Sequence, residues 1–337
     1  MYSESEIDAA VSAGVMPAQV AADFRNHVAA TRATPAVDEE HFRLITGFND
    51  IFVSIAIVLL LVALSGLGSP VAEPLSGVFV AAAAWALALF FTARRRMALP
   101  SILLLLAFVG GVADALFTAM PPSSERVAAL LTAGVAAASG AAAWLHWRRF
   151  HVPITVAAGA AAMVGLAMAL IMAAVPGAGR AVWPLLLVAG LIVFAFAMHW
   201  DLSDPQRRTR RADVAFWLHL AAAPMIAHPA FQMLGVFGGE IGTGTAVAVL
   251  ALYLLFAAVA LAVDRRALLV SSLIYVLYAL TSLIRTTGAV EVSWALTALV
   301  IGSALLSLSA FWQPIRRLVV DRLGSFGTRL PPAQLAV

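Results

Sequence analysis

The segment from Phe48 to Leu67 has the sequence FNDIFVSIAIVLLLVALSGL and is apolar almost throughout. A run of this length forms a helix about 30 Å long, which matches the hydrocarbon thickness of a bilayer. Its apolar residues are continuous rather than alternating, and this favours a helix over a strand of a membrane barrel. We therefore predict that the segment crosses a membrane as an α-helix.

Further segments of the 337-residue chain share this character. Together with the first they predict ten transmembrane helices, at Phe48–Leu67, Leu75–Thr92, Leu99–Met120, Val127–Leu145, Val152–Val175, Ala181–His199, Val214–Leu234, Ala246–Val263, Ala267–Ile284 and Trp294–Phe311. The chain is 62% hydrophobic and 12% charged, whereas a soluble domain is roughly 45–50% apolar and roughly 25% charged. This composition excludes a soluble enzyme, and it predicts an all-α polytopic protein whose main partner is the lipid bilayer.

The basic residues predict the topology of the chain. Lysine is absent, so all 21 basic residues are arginines. If the N-terminus is cytoplasmic, all of them except Arg126, Arg180 and Arg285 fall in cytoplasmic segments. Because cytoplasmic loops carry an excess of Lys and Arg, this alternation predicts that both termini are cytoplasmic.

Two missing residue types restrict the chemistry. The chain has no cysteine, which excludes disulfides, thiolate metal sites and iron–sulfur clusters. It has no lysine, which excludes Schiff-base chemistry and the lysine of a phosphate-binding loop. The arginines lie between apolar runs, so topology rather than nucleic-acid binding explains the net charge of +3. We predict no cofactor and no resident metal, and a haem at the membrane histidines is the alternative.

Residues 1–47 are predicted to form a cytoplasmic helical hairpin and linker, ahead of a ten-helix bundle over 48–312. Ser3 to Glu6 has the spacing of a capping box, and Gly14 and Pro17 can end one helix and begin the next. An apolar stripe at Val20, Phe24 and Val28 has helical spacing. It favours either a protein partner or self-association through residues 1–32, or packing of the stripe on its own helix pair or on the membrane surface.

Residues 313–337 are predicted to form a basic amphipathic cytoplasmic tail. Between Pro314 and Leu323, apolar residues alternate with three arginines at helical spacing. Such a helix lies in the headgroup region of a membrane. The other interpretation is that the charge only anchors the last span.

Asp114 is the clearest polar residue at membrane depth. A carboxylate there is costly, so it needs a reason. Gly110 precedes it by one turn and is expected to let another helix approach the same face. The residue is a proton, cation or substrate site, or it forms a structural hydrogen bond to a neighbouring helix, or its carboxyl is kept neutral by burial.

The seventh span, Val214–Leu234, is the most unusual. Pro224 and Pro229 are expected to kink or break it near the middle of the membrane. His228 and Gln232 share one face and predict a substrate or proton site. His219 is a further candidate for this site, and it lies nearer the cytoplasmic end on the opposite face. The alternative is that both histidines bond to carbonyls freed by the prolines.

Other polar residues lie nearer the ends of the spans. Arg285 follows a polar stripe on the ninth span and joins the predicted substrate site. Asn49 and Asp50 begin the first span, where they act as a helix cap or as a gate. The connection 201–213 mixes acids with four arginines and is predicted to be a solvated, self-paired cytoplasmic helix.

Some stretches are distinctive enough to suggest relatives. They are FRLITGFNDI at 42–51, SDP at 203–205 and DVAFWLHLAAAP at 213–224. They resemble a group of uncharacterised bacterial inner-membrane proteins, of the kind described as domains of unknown function, which also begin with a short Gly-Val-x-Pro hairpin. The resemblance covers nearly the whole chain. It implies a bacterial inner-membrane location and brings no activity and no catalytic residue.

Three classes of function remain open on the sequence. The first is a small-solute or ion transporter whose path passes Asp114 and His228, with the broken seventh helix as its site. The second is a scaffold, sensor or assembly factor acting through the N-terminal hairpin. The third is an intramembrane enzyme or a haem or metal protein, although the common catalytic motifs are missing.

Overall fold

A computed structural model of the chain describes residues 4–32, 48–121, 123–205, 207, 209–236, 242–286, 293–324, 327 and 330. The chain divides into a small N-terminal unit up to Phe42 and a large unit that begins at Arg43. Every regular element in the described residues is a helix, as the sequence predicts.

The small unit contains the predicted helix–turn–helix, with α1 at Glu4–Ser12 and α2 at Ala18–Arg32. Gly14 has a φ of +72° in the turn, a conformation that a residue without a Cβ adopts freely. Arg25 of α2 forms an ion pair with Asp8 of α1 at 2.7 Å. Val20 and Phe24 are 50% and 44% exposed, so α1 leaves this part of the apolar stripe open.

Two predictions for this segment lie outside what the structure describes. The capping box needs Ser3 and the Glu6 side chain, and the stripe continues at the Val28 side chain. The linker 33–47 and the tail beyond Leu330 lie outside the described residues as well.

The large unit is an array of apolar helices. Their bounds are α3 Phe48–Gly68, α4 Glu73–Phe91, α5 Ala98–Thr118, α6 Glu125–Phe150, α7 Ile154–Ala174, α8 Val182–Leu202, α9 Arg210–Met233, α10 Thr243–Val263, α11 Ala267–Thr286, α12 Ser293–Ala310 and α13 Trp312–Arg322. Each predicted span coincides with one of these helices to within a few residues. Nine described helices are long and apolar enough to cross a membrane singly, and α12 makes a tenth if it is counted with α13, which follows at a bend of 76°.

The first three spans pack closely through small residues. Ala84 and Ala88 of α4 are fully buried and lie in one apolar cluster with Leu104 of α5. A Cβ added at Gly111 of α5 would lie 2.7 Å from the carbonyl oxygen of Gly77 in α4. The absence of a side chain at Gly111 therefore lets the two backbones touch.

The most enclosed span is α9, which packs mainly against α8, α11 and α7. Over its apolar stretch 56% of the residues are buried, and no other described single span exceeds 33%. Leu218, Ala222, Ala227 and Phe231 on this helix are fully buried in the main apolar cluster. The described single span with the lowest hydropathy is therefore also the one most enclosed by neighbouring helices.

Of the kink or break predicted for the seventh span, the break does not occur. The helix α9 runs without interruption from Arg210 to Met233, with Pro224 and Pro229 inside it. Each proline removes one backbone donor. Packing against three neighbouring helices holds the remaining turns in place, and membrane helices tolerate proline in such surroundings.

Because consecutive spans are joined by short links, they run in alternating directions. The links 92–97, 151–153, 203–209 and 264–266 consequently meet at one end of the helix array. We call this the arginine-rich end, since these links and the helix turns beside them contain Arg94, Arg148, Arg207, Arg265 and their arginine neighbours.

Candidate functional site

Asp201 is the centre of a buried group of charges at the arginine-rich end. It lies in the last turn of α8, and its side chain is fully buried. Arg265 donates from Nη2 to Oδ1 at 2.6 Å and from Nε to Oδ2 at 3.1 Å. Nε2 of His219 in α9 lies 3.0 Å from Oδ2. One carboxylate thus joins α8, α9 and the α10–α11 link.

The turn between α10 and α11 directs the Arg265 side chain toward the buried interior. The link has three residues, and Asp264 adopts a φ of +63°, which reverses the chain sharply. The Arg265 side chain is 5% exposed and the His219 side chain 2%. Taking such groups out of water is costly, and the bidentate geometry and the third hydrogen bond offset that cost.

A second carboxylate, Asp264, joins the tail to the same end. Trp312 of α13 donates from Nε1 to Oδ1 at 2.8 Å, and Arg207 donates from Nη1 to Oδ2 at 2.9 Å. Nε of Arg316 lies 3.4 Å from Oδ1 and donates to the carbonyl of Leu261 at 3.1 Å. We call the whole set the buried ion-pair cluster: Asp201, Arg207, His219, Asp264, Arg265 and Arg316.

The structure corrects one residue of the predicted amphipathic tail helix, Arg316. The predicted amphipathic helix is present as α13. Arg316, however, is 1% exposed and faces the α10–α11 turn rather than a headgroup layer. The carboxylate of Asp264 beside it supplies the physical reason. Arg317 and Arg322 remain exposed.

The prediction of a solvated, self-paired helix over 201–213 is wrong as well. Helix α9 begins only at Arg210, and both Asp201 and Asp204 are buried. Asp204 Oδ2 accepts from the Thr209 backbone N–H at 2.8 Å and from its hydroxyl at 2.7 Å. The Thr209 hydroxyl in turn accepts from the Arg211 N–H at 3.2 Å, so this threonine caps the start of α9.

The second ring nitrogen of His219, Nδ1, is buried and has no hydrogen-bond partner among the described residues. The ring lies beside a narrow crevice with apolar walls that include Phe194, Val259 and Leu268. When the Nε2–H donates to Asp201, Nδ1 holds a lone pair and can accept a proton.

Farther along α9, His228 forms a second polar group. Its Nδ1 lies 2.7 Å from the hydroxyl oxygen of Tyr275 in α11, and its ring meets Trp183 of α8 edge-on at 5.1 Å. Gln232 follows one turn later, and its side-chain oxygen is buried without a hydrogen-bond partner in the described part of the chain. We call His228, Gln232, Tyr275 and Trp183 the His228 group.

The structure brings only some of the predicted site residues together. His228 and Gln232 lie in the His228 group, and His219 lies in the buried ion-pair cluster, on the other face as predicted. Asp114 is exposed on α5, and Arg285 is exposed in the last turn of α11. The structure therefore does not bring Asp114 and His228 into one cavity.

The residues at the start of the first span have different surroundings. Asn49 is exposed, whereas Asp50 is 3% exposed and lies in the first turn of α3. A carboxylate is favourable at this end of a helix dipole. No described helix of the chain uses the space at Gly110, since a Cβ there would meet nothing within 4 Å, and Gly111 makes the close contact with α4 instead.

Asp201, Asp264 and Arg265 were missed as functional candidates. The sequence does contain one indication of them, because Asp264 stands directly between an apolar span and two arginines. Within the described residues, no three His, Asp or Glu side chains are arranged to hold a metal ion.

No protein-family model, curated protein or solved structure matches this chain. The resemblance to uncharacterised bacterial inner-membrane proteins stays a prediction. A function must therefore be argued from the two polar groups on α9 themselves.

Proposed function

We propose that this chain is a membrane transporter of a small solute or ion, and that α9 forms the core of its transport path. One observation carries the proposal: the most enclosed span holds two histidines bonded to side chains of other helices, at two depths. Ionisable residues inside membrane spans are rare, and they typically mark substrate paths and proton relays.

The energetics of buried charges favour this proposal over a purely structural role. A buried ion pair adds little net stability compared with apolar residues of the same volume. Helices α8 to α11 already share a large apolar cluster, which includes Val193, Leu218, Phe256 and Val276. Stability alone therefore gives little reason for Asp201, His219 and Arg265 at this place.

We assign the two polar groups different roles. His228 and Gln232 are the solute-binding residues, because they share a face and Gln232 has an unused buried acceptor. Asp201 and Arg265 close the arginine-rich end, which we place in the cytoplasm by the positive-inside rule, in a bacterial inner membrane. Opening that end separates Arg265 from Asp201 and lets water reach Nδ1 of His219.

Flux into proteoliposomes tests the proposal, and the pH-sensitive dye pyranine inside them reports any change of internal pH. The external probes are amino acids, monocarboxylates, dicarboxylates, sugars and monovalent cations, each added with and without a membrane potential. We expect at least one probe to change the internal pH beyond protein-free vesicles, and the double variant H228A/Q232A to abolish that change. His199→Ala, at an exposed histidine of α8, is the matched control and keeps the flux.

Two results would contradict this assignment. If folded, inserted wild-type protein gives no signal with any probe, proton-coupled transport of these solutes is not the function. If the double variant H228A/Q232A transports as well as the wild type, the path does not pass the His228 group.

A second function, protein docking through the N-terminal hairpin, is favoured by a separate observation. Val15, Val20 and Phe24 are 80%, 50% and 44% exposed on this small unit. Deletion of residues 1–32 then removes a co-purifying protein or a self-associated form, while a V20S/F24S variant does the same without truncation. Purification profiles identical to those of the wild type for both variants would exclude docking.

A further inference from the structure

The outer face of α5 carries a carboxylate at membrane depth. Asp114 lies six residues beyond the middle of Ala98–Thr118, or about 9 Å along the axis. The hydrocarbon layer extends about 15 Å from its centre. The Asp114 side chain is exposed, and no hydrogen bond or ion pair joins its carboxylate to another described residue. Because a charge facing lipid is costly, this face requires a polar neighbour.

The same face is shaped for close contact with another helix. Leu106, Gly110, Asp114 and Phe117 are all exposed, and their spacing of four, four and three residues puts them on one stripe. Gly110 leaves the backbone open at the centre of this stripe, since a Cβ there would meet nothing within 4 Å. The neighbouring Gly111 faces α4, so α5 contacts its own chain on the other side.

We propose that this face binds the same face of a second copy of the chain, through Asp114 and Arg126. Arg126 is the second residue of α6 and is exposed at the end of the helix array toward which Asp114 lies. Asp114 lies four residues, or about 6 Å, before the end of α5, and Arg126 lies one residue inside the start of α6 at the same end of the array. An extended arginine side chain covers an offset of this size. No ion pair links Arg126 to another described residue.

Symmetry makes this charge pattern self-complementary. A twofold axis along the membrane normal places the α5 stripe of one copy against that of the other. Each carboxylate then faces the guanidinium of the other copy, and the pair forms twice. This inference does not rest on the proposed transport, because it concerns a face away from α9.

Cysteine cross-linking in native membranes tests the inference, since the chain has no cysteine of its own. The test variants are Leu106→Cys and Phe117→Cys on the stripe. The matched control is Leu170→Cys, which is exposed on α7 four residues before its end, as Asp114 is on α5. With a short bis-maleimide, we expect both stripe variants to form a dimer of twice the chain mass, and the control to stay monomeric.

The contribution of the Asp114–Arg126 pair is measured as the yield of cross-linked dimer in proteins that also carry Phe117→Cys. Asp114→Leu and Arg126→Ala each lower the dimer yield, and the double variant D114L/R126A lowers it no further than either one. The expected loss lies between about threefold and about thirtyfold, the range for a single hydrogen bond between membrane helices. Asp114→Asn, which keeps a hydrogen-bonding side chain, loses less.

Several results would overturn the inference. Dimer yields at 106 and 117 no higher than at 170, with equal insertion, show that lipid covers the face. A product of another mass shows a different protein there. An unchanged yield in D114L and R126A shows that the charges do not hold the copies together.

Discussion

The spans α3–α5 and the spans α8–α11 both pack through apolar contacts, and among the described residues the second group adds a buried network of ion pairs. In the first group Gly77, Gly111, Ala84 and Ala88 bring the helices close, and dispersion between apolar surfaces stabilises the contact. In the second group Asp201 joins three elements through one carboxylate. An ion pair can be exchanged for water. If the proposed transport is correct, we expect α3–α5 to stay static and α8–α11 to move.

The largest expected effect tests the charged half. Arg265→Ala leaves the carboxylate of Asp201 buried with only His219 beside it. Breaking a buried pair in this way costs about 3–5 kcal/mol of unfolding free energy. Reversible unfolding in mixed detergent micelles measures it. Arg94→Ala, at an exposed arginine of the same end, is the control and changes stability by less than about 0.5 kcal/mol. Equal losses would show that the burial of Arg265 contributes nothing.

The next effect tests the apolar half. Gly111→Ala places a Cβ 2.7 Å from the Gly77 carbonyl oxygen and 2.8 Å from the Ala81 nitrogen, so α4 and α5 must separate. Such overpacking costs about 1–3 kcal/mol. The same unfolding experiment applies, with Gly134→Ala of α6 as the control, since a Cβ there meets nothing within 4 Å. A Gly111→Ala protein as stable as the control would mean that α4 and α5 pack more loosely.

A smaller effect tests the attachment of the tail. Trp312→Phe removes the hydrogen bond to Asp264, which keeps its bond to Arg207. We expect a loss of about 1 kcal/mol and faster amide exchange over 312–322. Trp294→Phe, at a residue 69% exposed, leaves both unchanged. Exchange in α13 that is unaffected by Trp312→Phe would contradict this attachment.

The smallest effect sharpens the comparison within the second half. Tyr275→Phe removes the hydrogen bond to His228 and costs about 0.5–1 kcal/mol of unfolding free energy. The control is Tyr253→Phe, because that hydroxyl is buried without a partner in the described residues and its removal is neutral or stabilising. A reversed order of the two variants would argue against the His228 group.

The helices were predictable because each span is encoded locally by its own apolar residues. The partners of the buried charges were not, since Arg265 and Asp201 are 64 residues apart. Sequence analysis treated Arg207, Arg265 and Arg316 as markers of topology, and the structure gives each a carboxylate as well. Gly110 and Gly111 differ by one position, or about 100° around the helix, and only the position of α4 decides which one is covered.

The most direct test of a moving α9 uses single cysteines in this cysteine-free chain. Ala222 lies between His219 and His228 and is fully buried, as is Ala84 in α4. A membrane-impermeant, water-soluble thiol reagent is applied to right-side-out and inside-out vesicles containing Ala222→Cys or Ala84→Cys. If α9 forms the transport path, the Ala222→Cys protein is labelled from at least one side while the Ala84→Cys protein stays unlabelled. Equal protection of both variants from both sides would contradict the account.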